Sequence, residues 1–259
     1  MITTMKANSI EEIEIFLETE KSQSTSQIKW IFRGCYLKEW MLQTSLARHW
    51  KDNICPTKHT AIVQDYLTGL LKDIDIPNNL HIDRDKPILG HGQHHKLWTN
   101  LLDWTTNIKM AHQFASVSGT NKKNEGVFIY VLGVFEEMVD KKQKDGKHGN
   151  LVSVFDPANR LEWNKEKTNY TDLLTINKNI DKQEGLFTYC SLLKGFTIEN
   201  YIYTRCDIWD YDQKIPLYKF EIPCLQVTDS ALEDTLYTHI SSDLDAFTRD
   251  INKKFNLTD

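Results

Sequence analysis

Apolar residues recur at helical spacing in several stretches of the chain. Ser9-Ile10-Glu11-Glu12 reads as a capping box, and Ile10, Ile13, Ile15, Phe16 and Leu17 give the following helix an apolar side. The polar run Lys21–Ser26 reads as a loop, and Lys29–Phe32 as a short strand ending at Arg33-Gly34. Leu42–Trp50 and Thr60–Ile74 are predicted helices. In the second, Ile62, Val63, Tyr66, Leu67, Leu70 and Leu71 keep the 3.6-residue period. Pro77–Gly92, rich in Pro, Asn, Asp and Gly, is predicted to be a loop. Leu101–Thr105 reads as a strand or turn feeding a helix. Thr106 or Asn107 would cap that helix, and Ile108, Ala111, Phe114 and Ala115 would form its buried side.

The β-branched and aromatic run Gly126–Val134 is the clearest strand and suits a central sheet position. Asp140–Asn150 reads as a solvated loop and Asp156–Lys182 as irregular. Gly185–Leu193 and Leu217–Ile222 read as strands. Leu244, Phe247 and Ile251 mark a helix within a C-terminal helical segment of about 229–255. Strands and helices intermingle without regular βαβ alternation, which favours a single α+β domain over residues 1–259. No internal repeat and no glycine-rich phosphate loop is present.

Composition narrows the picture little. The chain has 259 residues, 40% hydrophobic and 26% charged, long enough to build a core without disulfides. The five cysteines, Cys35, Cys55, Cys190, Cys206 and Cys224, have no zinc-ribbon or thioredoxin spacing, and reduced thiols are expected. A net charge of −5 offers no global attraction to nucleic acid or membrane. The N-terminus lacks a signal-peptide core and no apolar run spans a bilayer, so a cytoplasmic location and no membrane association are expected. His91, His94 and His95 lack complementary Cys or Asp spacing, so no metal is expected. Lysines at 122–123, 141–147 and 165–167, interleaved with Trp163 and Tyr170, read mostly as solvated surface; a nucleic-acid groove is the other reading.

Two segments concentrate chemistry. In Trp30-Ile31-Phe32-Arg33-Gly34, the arginine offers a planar fork for a phosphate or carboxylate, and the glycine permits close approach of a ligand. A surface salt bridge beside a turn is the plainer reading. In Gln93–Thr105, the Asp103-Trp104-Thr105 group could bind a sugar edge and stack a ring. Helix capping with Trp104 in the core is the plainer alternative.

Together the segments resemble the FRG-domain family. Trp30–Gly34, Leu42–Arg48, Gln93-His94, Thr99, Leu101–Thr105, Ala111 with Phe114-Ala115, and Gln183-Glu184-Gly185-Leu186-Phe187 follow that family's blocks over about residues 28–225. Lys96, Trp98, Asn100 and Asn179 stand where the family usually has Gly, Pro, Arg and Arg. The pattern in turn resembles the ADP-ribosyltransferase fold, which implies a split β-sheet core with flanking helices. The resemblance implies NAD as ADP-ribose donor and no metal. It implies mono-ADP-ribosyl transfer to a macromolecule, with an RNA or DNA base favoured slightly over protein. A toxin of a toxin–antitoxin or phage-defence module, with an antitoxin partner, is the implied setting. A nucleotide-binding module without catalysis and a NAD glycohydrolase are the alternatives.

The site residues the resemblance implies are Phe32, Arg33, Gly34, His94, Asp103, Trp104 and Thr105 for NAD, and Arg33, Thr105, Gln183 and Glu184 for catalysis. Arg33 would hold a phosphate or ribose oxygen, Thr105 would fix the ribose, and Trp104 would stack the nicotinamide. His94 would donate to a backbone carbonyl near the site. The carboxylate stays open: Glu184 falls one residue off the family spacing and would face away on a strand, Glu221 is in reserve, and neither is the third option.

Overall fold

A computed structural model describes residues 2, 4–49, 56–73, 85–118, 126–139, 152–163, 178–192, 196–204, 215–224 and 242–255. In chain order the elements are β1 (Thr4–Lys6), α1 (Ile10–Gln23), β2 (Lys29–Cys35), α2 (Ser45–His49), α3 (Pro56–Asp73), α4 (Asp85–His94), β3 (Leu101–Thr105), α5 (Ile108–Ser118), β4 (Val127–Val134), β5 (Val152–Phe155), α6 (Lys178–Lys182), β6 (Gly185–Cys190), α7 (Ile198–Thr204), β7 (Leu217–Ile222) and α8 (Ser242–Lys254). The loop expected at Asp140–Asn150, the lysines at 122–123, 141–147 and 165–167, Tyr170, Cys55, Cys206 and positions 229–241 lie outside the described residues.

Among the described residues the sheet has seven strands in the order β1-β7-β4-β2-β3-β6-β5. Only β1 and β7 run parallel; the other five pairings are antiparallel. β4 is buried along its whole length, as its unbroken apolar run requires. The chain is thus a mixed α/β protein built on one mixed sheet.

The sheet is pinched in its middle. β2 pairs with β4 through seven residues, and β3 pairs with β6 through five. Yet β2 and β3 meet only at Phe32↔Thr105. A four-stranded half (β1-β7-β4-β2) and a three-stranded half (β3-β6-β5) therefore part on one side of this contact.

The core follows the same division. One cluster lies across both halves on a common face, holding Ile31 and Cys35 of β2, Trp104 of β3, Leu132 of β4, Leu186 of β6 and Ile198 of α7. On the opposite face, α1 and α5 cover the four-stranded half through Ile13, Leu17, Ile108, Ala111 and Ala115. The helices α3, α4 and α8 cover the three-stranded half through Tyr66, Leu89 and Ile251.

Several sequence expectations need correction. Residues 85–92, expected as loop, form most of α4: Leu89 and Gly92 are buried, and tertiary burial overrides the local Pro and Gly signals. The supposed loop from Lys21 begins with the last turn of α1, which runs to Gln23. Lys178–Lys182 is a helical turn rather than irregular chain. The helix expected from Leu42 starts at Ser45, because Leu42 is held in a bend by Ile198 and Glu199.

Candidate functional site

Where β2 and β3 part, the ladder is replaced by a side chain. Arg33 Nη1 donates to the Asp103 carbonyl oxygen at 2.7 Å and lies 3.6 Å from Asp103 Oδ2. Strand alternation puts Arg33 on the common face, between Ile31 and Cys35. Its side chain is 23% exposed and that of Asp103 50%, so the ion pair borders solvent at the mouth of the fork. Arg33 keeps further guanidinium donors beyond this contact, suited to an oxyanion.

Thr105 closes the fork. Its buried hydroxyl donates to the Gln183 carbonyl at 2.8 Å and accepts from the Asn107 amide at 3.0 Å. The Thr106 amide donates to the Glu184 carbonyl at 3.2 Å. The fold thus gathers Phe32, Arg33, Gly34, Asp103, Trp104, Thr105, Gln183 and Glu184 around one junction of β2, β3 and β6. His94 ends α4; its side chain lies outside the described residues.

Three of these residues make structural contacts in addition to, or in place of, the roles the resemblance implies. A Cβ on Gly34 would fall 1.9 Å from the Ala111 carbonyl oxygen and 3.0 Å from Ala115 Cβ, so the glycine makes room for α5, not for a ligand. Trp104 is buried in the common core, where its indole donates to Thr188 Oγ1 at 2.9 Å. It offers no face for stacking.

Glu184 is the third. It does not lie on a strand, so the alternation argument against it does not apply. It sits after α6 with φ of 48°, the left-handed conformation that ends many helices and normally selects glycine. Its carboxylate turns to the start of α5, accepting from Asn107 Nδ2 at 2.9 Å and Thr106 Oγ1 at 3.2 Å. Asn107 caps α5 through bonds from the Lys109 and Met110 amides. Glu221 lies on β7, paired with Lys6 and Phe128 and two strands from Arg33.

Charged residues that sequence reasoning gave no role lie on the same side of the sheet. Arg48, near the end of α2, lies within electrostatic reach of Arg33 and Asp103; loss of water and then the Arg33 charge lower its pKa, while Asp103 opposes. On the common face, across Tyr130 of β4 from Arg33, lies buried Lys219, with buried Glu199 of α7 nearby. Lys219 Nζ donates to the Tyr130 hydroxyl at 2.9 Å and to the carbonyls of Lys38 (2.5 Å) and Trp40 (3.5 Å). Tyr130 donates its hydroxyl hydrogen to the Trp40 carbonyl at 2.5 Å. Glu199 Oε1 accepts from the Leu42 amide at 2.6 Å, and its Oε2 is buried without a hydrogen-bond partner among the described residues.

Burial lowers the Lys219 pKa, which the nearby Cys35 and Glu199 partly restore. Burial raises the Glu199 pKa, against the Leu42 amide, Tyr130 and Lys219. Burial pushes the Cys35 thiol up to about 11, so it is no thiolate nucleophile. Little in the sequence marked Lys219: it alternates with Leu217 and Glu221 on one face of Leu217–Ile222, a pattern that reads as a half-solvated strand, and only the tertiary packing buries it.

Lys96 has φ of 66°, a conformation glycine adopts at no cost, at the position where the FRG family usually has glycine. His91 Nδ1 lies 2.7 Å from the buried Tyr66 hydroxyl. Among the described residues no group of three or more His, Cys, Asp or Glu is placed to hold a metal, and no helix is long and apolar enough to cross a membrane.

A sheet parted around a strand-borne arginine defines a mixed α/β protein with a charged fork between two half-sheets. The family model of the FRG domain matches residues 28–125, from the start of β2 to the residues before β4, which supports the resemblance carried by the motifs within that span; the block at Gln183–Phe187 lies beyond it. No curated protein and no solved structure matches the chain.

Proposed function

We propose that the chain is a NAD-dependent mono-ADP-ribosyltransferase acting on a macromolecule, with an RNA or DNA base as the favoured acceptor. The observation that supports this reading is the fork: an arginine at the parting of two half-sheets, with Thr105, Gln183 and Glu184 gathered beside it. Cleavage of the nicotinamide–ribose bond builds positive charge on the ribose, as in glycoside hydrolysis. The site must hold the pyrophosphate, orient the ribose and stabilise that charge.

In this reading Arg33 binds the pyrophosphate, with Arg48 as a second cation. Nicotinamide leaves with the bonding pair of the C–N bond. The acceptor's nucleophilic atom bonds to the same ribose carbon and yields its proton to a carboxylate. Glu184 fills that role if its carboxylate is released from Thr106 and Asn107 on binding. Its engagement with those groups favours a second reading, a module that binds the nucleotide without transfer.

The test incubates purified protein with labelled NAD and cell lysate, then recovers protein, RNA and DNA separately. Label in one fraction, lost in Arg33→Ala, is the expected result. Intact NAD with no label in any fraction overturns transfer in favour of binding, and free ADP-ribose without label overturns it in favour of hydrolysis.

A further inference from the structure

The segment from Lys38 to Leu42 is irregular and surface-lying, yet its backbone is held from beneath by three buried polar side chains. Lys219 takes the carbonyls of Lys38 and Trp40, Tyr130 takes that of Trp40, and Glu199 takes the amide of Leu42. Buried ionisable groups are costly to fold around. Here all three converge on five residues of one loop.

What that loop presents is Trp40, 40% exposed, beside Met41, 48% exposed. The Tyr36 and Trp40 rings meet in an edge arrangement, with centroids 4.9 Å apart at 61°. The Arg48 guanidinium lies 5.9 Å from the indole centroid and within electrostatic reach of Arg33. An exposed indole on a pinned backbone, flanked by the Arg48 guanidinium, is a surface for a flat ring attached to an anion. Its openness suits a strand that continues across the surface, whereas an isolated nucleotide gains affinity from enclosure.

We infer that Trp40, framed by Tyr36 and Arg48, is a stacking platform for a base of single-stranded nucleic acid, with a neighbouring phosphate against Arg48. This rests on the reading of a nucleic-acid acceptor and gives that acceptor a place on the protein. Lys219, Tyr130 and Glu199 are positioning residues, holding the indole through its backbone.

The test measures binding of fluorescein-labelled single-stranded RNA and DNA of about ten nucleotides by anisotropy. Trp40→Ala is expected to weaken binding of at least one strand about tenfold, Trp40→Phe to restore it to within about threefold, and Ile15→Ala, on the exposed side of α1, to leave it unchanged. Equal binding by the wild type and Trp40→Ala overturns the inference, as does a wild type that binds neither strand. An effect of Trp40→Ala on NAD affinity alone overturns it in favour of the dinucleotide. NAD consumption, followed in the same preparations, separates this from the proposed activity. Trp40-dependent strand binding without NAD turnover leaves the platform standing and removes the transferase reading. Transfer from NAD without Trp40-dependent strand binding does the reverse.

Discussion

Replacing Gly34 by alanine separates two readings of the Phe-Arg-Gly strand. The added Cβ would lie 1.9 Å from the Ala111 carbonyl oxygen and 2.9 Å from its carbon. Non-bonded heavy atoms settle near 3.5 Å, so α5 must withdraw by about 1.5 Å. The obstructing atoms are helix backbone and cannot swing aside. Withdrawal strips Ala111 and Ala115, both fully buried, from β2. Overpacking of this kind costs about 1–3 kcal/mol, and the rigid contact places Gly34→Ala near 3 kcal/mol. Its effect on the unfolded chain runs the other way, a stabilisation of about 0.4–1 kcal/mol. The net loss is about 2 kcal/mol. With a urea m-value of about 3 kcal/mol/M, the unfolding midpoint falls by about 0.7 M. Chemical denaturation followed by circular dichroism measures it. A midpoint within about 0.2 M of the wild type, with ligand affinity alone reduced, would refute the packing role and restore the reading in which the glycine admits a ligand.

Two further outcomes are expected. Glu184→Gln removes a negative charge from the start of α5 and lowers stability by about 0.5–1 kcal/mol in urea unfolding; compared side by side with Glu221→Gln in the labelled-NAD assay, it should be the variant that loses turnover, and full turnover in Glu184→Gln would reduce Glu184 to a helix cap. Glu199 binds its proton more tightly when folded, because burial raises its pKa above the usual value of 4.5, so its contribution is complete below that value and declines as pH rises through the folded pKa. Glu199→Gln keeps an acceptor for the Leu42 amide, so its urea midpoint should gain on the wild type from about pH 4.5 upward; parallel pH profiles would refute the assignment.

Much of the candidate site was legible in order along the chain. Arg33, Asp103, Thr105 and Gln183-Glu184 were singled out by residue type and spacing, and the fold brings them to one junction. Their roles were less legible, because role depends on what lies opposite. Gly34 meets α5, which is 74 or more positions away; Trp104 meets Thr188; the Glu184 carboxylate meets Asn107. None of these partners is marked by local pattern.

The sequence by itself determined the strong periodic elements: the capped α1, the buried β4, the amphipathic α3 and α5, and the start of β2 at Lys29, though the strand runs on through Arg33-Gly34 to Cys35. Period and capping act within a few residues, so they can be read locally. Tertiary structure alone decided that the sheet parts beyond Phe32↔Thr105 and that Arg33 fills the gap. It also decided that Lys219, Tyr130 and Glu199, from β7, β4 and α7, converge beneath Trp40. Those contacts join residues about 90 to 180 positions apart in the chain. Their energy comes from shared burial and from hydrogen bonds that no neighbour in sequence could make.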